Sequence, residues 1–212
     1  MNVNPPAPDL EQLLINSQDA RTYAYRHLTN SANLKLEIAR TCLESIVNTA
    51  GILCNCFRLG KKVLICGNGG SAADAQHMSA EFVNRLSKEF DRPGLPAIAL
   101  TTDTSLLTAY ANDYGYDGLF ERQVLALGGP NDVLIGISTS GNSANVIKGV
   151  NAARGKGLVT VGLLGSGGEL TNLVDQAVVV PNQDTQHVQE ALLAIEHIIC
   201  YLVERALFPS TS

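Results

Sequence analysis

Val63-Leu64-Ile65-Cys66-Gly67-Asn68-Gly69-Gly70-Ser71 and Val133-Leu134-Ile135-Gly136-Ile137-Ser138-Thr139-Ser140-Gly141-Asn142-Ser143 are two versions of one design. In each, a short apolar strand runs straight into a Gly/Ser/Asn loop and then into a helix. Three more strand candidates follow from Lys61 onward: Ala97–Thr101, Val159–Leu164 and Ala177–Val180. Several of the five are unbroken apolar runs rather than alternating ones, which is how strands buried on both faces read. Helical stretches between them make right-handed crossovers the expected connection, so the pattern predicts an α/β fold with a parallel sheet. Ligands in such sheets bind beyond the carboxyl ends of the strands, where both loops sit.

The first loop is neither a Walker P-loop, since no Gly-Lys-Ser/Thr follows, nor a dinucleotide fingerprint, since Ala72 fills the third glycine position. Its glycines fit either a ligand cradle or a tight strand–helix junction. The second loop is more specific: Ser138, Thr139, Ser140 and Ser143 place four hydroxyls in six residues, where capping needs one. Phosphate has three acceptor oxygens to satisfy. With no Lys or Arg in the loop, hydroxyls, amides and the helix dipole must handle the charge.

His77 and Glu81 stand four residues apart on the helix after the first loop and share a face. That spacing serves a surface ion pair, an acid/base pair or two ligands of one metal ion. On a last helix of about Thr185–Leu207, Gln189 and His197 are the remaining candidates. They lie about 12 Å apart along the axis and must reach toward each other to meet one ion. A half-buried helical histidine is the plain alternative for His197.

Composition narrows the classes. The chain has 212 residues, 45% of them hydrophobic, and a net charge of −5. That is one core-forming domain with no basic patch for nucleic acid. The expectation is a soluble cytoplasmic protein, because no signal-peptide pattern and no membrane-length apolar run is present. Cys42, Cys54, Cys56, Cys66 and Cys200 lack CxxC spacing and read as reduced thiols. Residues 1–8 are rich in Pro and Asn and read as loose. Two helices, about Leu10–Leu28 and Ala32–Phe57, precede the α/β part, so the expected organisation is a helical extension over 1–60 and an α/β unit over 61–212. The helices are candidates for packing against partner subunits, or for an intrachain cap.

Taken together, Cys66–Ser71, His77-Met78-Ser79-Ala80-Glu81, Ala111-Asn112-Asp113-Tyr114-Gly115, Gly136–Val146, and Gln189-Glu190 with His197 resemble the sugar isomerase (SIS) domain family, and within it the phosphoheptose isomerases. The resemblance covers nearly the whole chain. It implies a five-stranded parallel sheet in a flavodoxin-like three-layer sandwich, and a homotetramer with active sites at subunit interfaces. By matching position it implies substrate contacts at Asn68, Gly69, Gly70, Glu81, Asn112, Asp113 and Gln189, and a phosphate cradle of Ser138, Thr139, Ser140 and Ser143. It implies a zinc set of His77, Glu81, Gln189 and His197, with Glu81 and His197 as the acid/base pair. The implied reaction converts D-sedoheptulose 7-phosphate to D-glycero-D-manno-heptose 7-phosphate through an enediol, toward activated heptose for lipopolysaccharide or another glycan. Many members carry a second Glu before the catalytic one, where this chain has Ala80. Some proteins of similar sequence are instead adaptors for the replication initiator protein, and other isomerases of the family act on other sugar phosphates. The His/Glu/His set favours an enzyme, since an adaptor has no need of it.

Overall fold

A computed structural model describes Leu14, residues 17–88 and residues 90–209. Its strands are β1 (Val63–Gly67), β2 (Ala97–Ala99), β3 (Val133–Ser138), β4 (Val159–Gly165) and β5 (Gln176–Val180). They form an all-parallel sheet in the order β2-β1-β3-β4-β5. The helices are α1 (Gln18–Thr41), α2 (Leu43–Arg58), α3 (Gly70–Val83), α4 (Thr104–Tyr114), α5 (Leu119–Leu127), α6 (Ala144–Gly155), α7 (Leu170–Leu173) and α8 (Thr185–Leu207).

Successive strand residues face opposite sides of the sheet, and here both sides are core. Val63, Ile65, Ile135, Ile137, Val161 and Val178 pack with Leu53, Phe57, Met78, Phe82, Leu192 and Ile199 from α2, α3 and α8. Leu64, Cys66, Leu134 and Leu164 pack on the other side with Phe120, Val124, Val146 and Val150 from α5 and α6. This explains the unbroken apolar strands, each buried Leu or Ile contributing about 1.5–3 kcal/mol. β2 ends two residues earlier than the sequence predicts. Thr101 leaves the sheet because its hydroxyl and carbonyl both take up the Gln76 amide of α3.

The N-terminal helices depart from expectation in register. The predicted break near residues 29–31 is absent, and α1 runs through it to Thr41. Ser31 is buried there, its hydroxyl on Glu190 of α8, so a residue that reads as a breaker is a packing contact. The interruption falls at Cys42, φ −114° and ψ −1°, whose thiol donates to the Val179 carbonyl of β5. α1 starts where Ser17 caps Ala20 N and Asp19 meets the positive helix end. The segment 1–8 and most of the predicted helix before Gln18 lie outside the described residues. Leu34, Ile38, Ile46, Ala50 and Leu53 join the core of the same chain, while Tyr23, Leu28, Leu36, Leu43 and Val47 remain exposed.

Because β1 has β2 on one side and β3 on the other, the chain changes winding direction between β1 and β3. A crevice opens beyond the carboxyl ends of two strands at such a switch point. The loops after β1 and β3 border that crevice.

Candidate active site

The two loops meet through a reciprocal pair. Asn68 Nδ2 donates to Asn145 Oδ1 and Asn145 Nδ2 to Asn68 Oδ1, each at 2.8 Å. Tyr116 OH adds a bond to Asn68 Oδ1 at 3.2 Å. Gly69, at φ +56°, starts α3 without a side-chain cap, so the first amides of that helix remain available. Gly70 lets the Gln189 carboxamide lie against the loop, since a Cβ there would push that side chain aside. Asn112 and Asp113 bond each other at 2.9 Å on the exposed end of α4. Tyr116, two residues past that helix, makes the link to Asn68.

In the second loop the hydroxyls converge. Ser138 Oγ lies 3.0 Å from Ser143 Oγ and 3.5 Å from Ser140 Oγ, and accepts from Gly141 N at 3.1 Å. Ser143 is the N-cap of α6 but makes no side-chain capping bond, which leaves that helix end open to an anion. Gly141 takes φ +66° with its Cα against the Gly167 carbonyl, where a side chain would not fit. Thr139 and Ser140 line a cavity of about 320 Å³ with Asn142, Ser166 and Gln183.

α3 and α8 bring the third group together from opposite ends of the sequence. His77 Nε2 lies 2.9 Å from His197 Nε2 and 3.2 Å from Glu81 Oε1, which is 3.6 Å from His197 Nε2. The rings meet edge to face at 77°. Two imidazole nitrogens and a carboxylate oxygen thus point at one spot, and Glu81 Oε2 is buried without a partner. Donors of these types suit a divalent ion such as zinc, so the residues present fit a metal. Gln189 sits one step away: its amide donates to Asp74 Oδ1 at 3.3 Å and its side chain lies over Gly70. It therefore touches the first loop while His197 lies two turns further along α8.

Beneath this group is a buried acidic layer that sequence reading did not single out. Glu196 is 0% exposed with both carboxylate oxygens unpartnered. Burial first, then the charges of Asp74 and Glu81, push its carboxyl up to about 9. Burial likewise raises the Asp74 carboxyl, against Gln189 and His77, and lifts the Cys200 thiol, with Glu81 adding to it. A protonated Glu196 stabilises the fold fully below its unfolded value near 4.5, and that contribution is lost as pH rises toward 9. Glu196→Gln, in chelator-treated protein, is thus expected to gain melting temperature relative to wild type between pH 5 and pH 9. Calorimetry at a series of pH values reads this; parallel melting curves would refute a neutral Glu196.

A second unheralded device holds α3 in place. Arg92, 8% exposed, donates from Nη2 to the Glu81 carbonyl at 2.7 Å and from Nη1 to the Phe82 carbonyl at 2.6 Å. The same guanidinium pairs with buried Glu204 of α8 at 2.7 Å, and Glu204 also accepts from Leu86 N. The helix of Glu81 and the helix of His197 are thereby tied through one buried ion pair.

Comparison with known proteins places the chain in a family. The SIS domain model matches residues 26–165. The chain is 50% identical over 191 residues to the phosphoheptose isomerase of Solidesulfovibrio magneticus, covering 90% of this chain and 87% of that one. It is 54% identical over 179 residues to that of Roseiflexus sp., covering 84% and 90%. The solved phosphoheptose isomerase of Neisseria gonorrhoeae superposes with a TM-score of 0.81 at 41% identity, covering 86% of this chain and 97% of that one. An all-parallel sheet with hydroxyl-rich loops at its switch point, a His/Glu/His cluster beside them, and relatives of this closeness lead to one conclusion: the chain belongs to the SIS domain family, among the phosphoheptose isomerases, and is a sugar-phosphate isomerase.

Proposed function

We propose that the chain interconverts D-sedoheptulose 7-phosphate and D-glycero-D-manno-heptose 7-phosphate, a step toward activated heptose for a surface glycan. The observation that carries this reading is the convergence of His77, Glu81 and His197 beside the two loops. The phosphate would bind at Ser138, Thr139, Ser140 and Ser143 with the N-terminus of α6. Asn68, Gly69, Gly70, Asn112, Asp113 and Gln189 would hold the sugar chain. Exposed apolar side chains on α1 and α2 support assembly into a homotetramer, with sites completed at subunit interfaces. Five buried free thiols support a reducing, cytoplasmic setting.

Isomerisation moves one proton between C1 and C2 and another between the two oxygens. Glu81 takes the carbon-bound proton from C1 of the ketose, exchanges it with solvent while the enediol is bound, and protonates C2. His197 moves the oxygen-bound proton, and the enediol lies between the two steps. His77, Glu81 and His197 would hold a zinc ion, which Gln189 would reach only by turning from Asp74 and Gly70; when bound, the ion polarises the carbonyl and stabilises negative charge on its oxygen. Arg92 keeps Glu81 in register through its backbone.

Ser140→Ala and Ser138→Ala are expected to raise KM for the sugar phosphate roughly ten- to a hundredfold each, the loss of about 1.5–3 kcal/mol for a hydrogen bond to charge. Ser140 is exposed, so its variant should melt like wild type; Ser138 is buried and should lose some stability too. Unchanged KM in both would remove the phosphate assignment. Substrate choice is tested by comparing kcat/KM for heptose, hexose and pentose phosphates. A clear preference for a five- or six-carbon sugar would replace the heptose reading with another isomerase of the family.

A further inference from the structure

α1 and the first turns of α8 carry a second group of metal-ligating side chains. Its members are His27 from α1 and His187 and Glu190 from α8, with donor atoms all within 4.8 Å of one another. His27 Nε2 is 2.7 Å from Glu190 Oε1, and His187 Nδ1 is 3.9 Å from Glu190 Oε2. The two rings stack with centroids 4.3 Å apart. None of these residues belongs to the isomerase site. Glu190 follows Gln189 directly, but one helical residue is a turn of about 100°. Gln189 therefore lies on Gly70 while Glu190 faces α1.

We propose that His27, His187 and Glu190 form a second binding site for a divalent transition-metal ion, distinct from the His77–Glu81–His197 centre and stapling α1 to α8. An ordinary histidine–glutamate ion pair accounts for His27 but not for His187. That residue is only 7% exposed, and its Nδ1 is buried without a partner. Such a nitrogen costs about 1–3 kcal/mol when left unsatisfied, and a metal ion would satisfy it. In a tetrahedral zinc site with bonds near 2.0–2.1 Å, donors stand roughly 3.3 Å apart. His27 stands 2.7 Å from Glu190 Oε1 and His187 3.9 Å from Oε2, with all donors within 4.8 Å of one another, so the side chains must draw together around the ion. Two imidazoles and a carboxylate are a mixed N/O set suited to Zn²⁺ or Co²⁺. Outer support is present: Ser31 Oγ donates to Glu190 Oε2 at 2.5 Å, the type of contact that orients a ligating carboxylate. Lys35, which donates to Ser31 Oγ, is exposed and free to swing its charge into water. His187 also lines a cavity of about 380 Å³ with Asn30 and Asp184, which gives water a route to a fourth ligand position.

The test is Co²⁺ titration of the full chain, followed by d–d absorption and by elemental analysis after gel filtration. Wild type is expected to bind two equivalents per chain. His77→Ala should retain one, with a tetrahedral Co²⁺ spectrum, and so reports this site even if the isomerase centre holds no metal. His27→Gln, whose amide can still bond Glu190, should lose that equivalent with at least a hundredfold weaker binding. His187→Phe keeps the ring stack and should do the same. Zn²⁺ should raise the melting temperature of His77→Ala but not of His27→Gln/His77→Ala. The proposal is overturned if His77→Ala binds no metal, or if its remaining equivalent is unaffected by His27→Gln and His187→Phe.

Discussion

Glu81→Gln is expected to lower kcat by about 10²-fold or more while the protein stays folded. The substitution keeps shape and volume but replaces the carboxylate oxygen, 3.2 and 3.6 Å from the two imidazole nitrogens, with an amide that accepts no proton. Glu81 is only 12% exposed, and its backbone carbonyl is held by Arg92, so neither the fold nor the helix register depends on its charge. KM should change far less than kcat, because the proposed phosphate cradle is on the other loop. Steady-state kinetics with far-UV circular dichroism on the same preparation checks this. Activity within a few-fold of wild type would end the assignment of Glu81 as the carbon base.

Arg92→Met should be the most destabilising single change among those considered. It leaves Glu204, 2% exposed, as an uncompensated charge, removes the side-chain donor to the Glu81 carbonyl, and leaves the Phe82 carbonyl with Leu95 N alone. Breaking a buried ion pair from one side costs about 3–5 kcal/mol, or a fall in melting temperature of roughly 6–20 °C for a chain of this size. The double variant Arg92→Met/Glu204→Met separates stability from function. Replacing both partners with apolar side chains of similar volume is often neutral or stabilising, so the melting temperature should recover. The tether to the Glu81 carbonyl is still missing, so kcat should stay depressed. Full recovery of both in the double variant would mean that Arg92 serves stability alone.

Legibility in the sequence followed the range of the interaction. β3 and α8 were readable to the residue because local chemistry sets their ends. Asp184 caps Gln186 and His187, and Val133–Ser138 is a continuous apolar run into a hydroxyl loop. The break between α1 and α2 was misplaced because Ser31 is polar in sequence yet buried in space. Its partner, Glu190, is 159 residues away. His77 and Glu81 were visible as a helical pair, whereas their meeting with His197 spans 120 residues and rests on how α3 and α8 pack. Arg92 and Glu204 carry no local pattern. A buried arginine bridging two helices is indistinguishable in sequence from a surface one, and the same holds for Glu196. The resemblance to known isomerases singled out Gln189 as a site residue, which spacing alone could not, but its contacts with Gly70 and Asp74 come from the packing of α8 on α3.

Proton transfer on a heptose phosphate is tested most directly by one measurement. Purified zinc-supplied protein is incubated with sedoheptulose 7-phosphate in deuterium oxide and followed by NMR. The account predicts appearance of the aldose, D-glycero-D-manno-heptose 7-phosphate, with solvent deuterium at C2, and deuterium at C1 of the remaining ketose. Glu81→Gln should suppress both signals together. Folded, zinc-supplied protein that forms no aldose, or forms it with no deuterium in either sugar, would contradict the account.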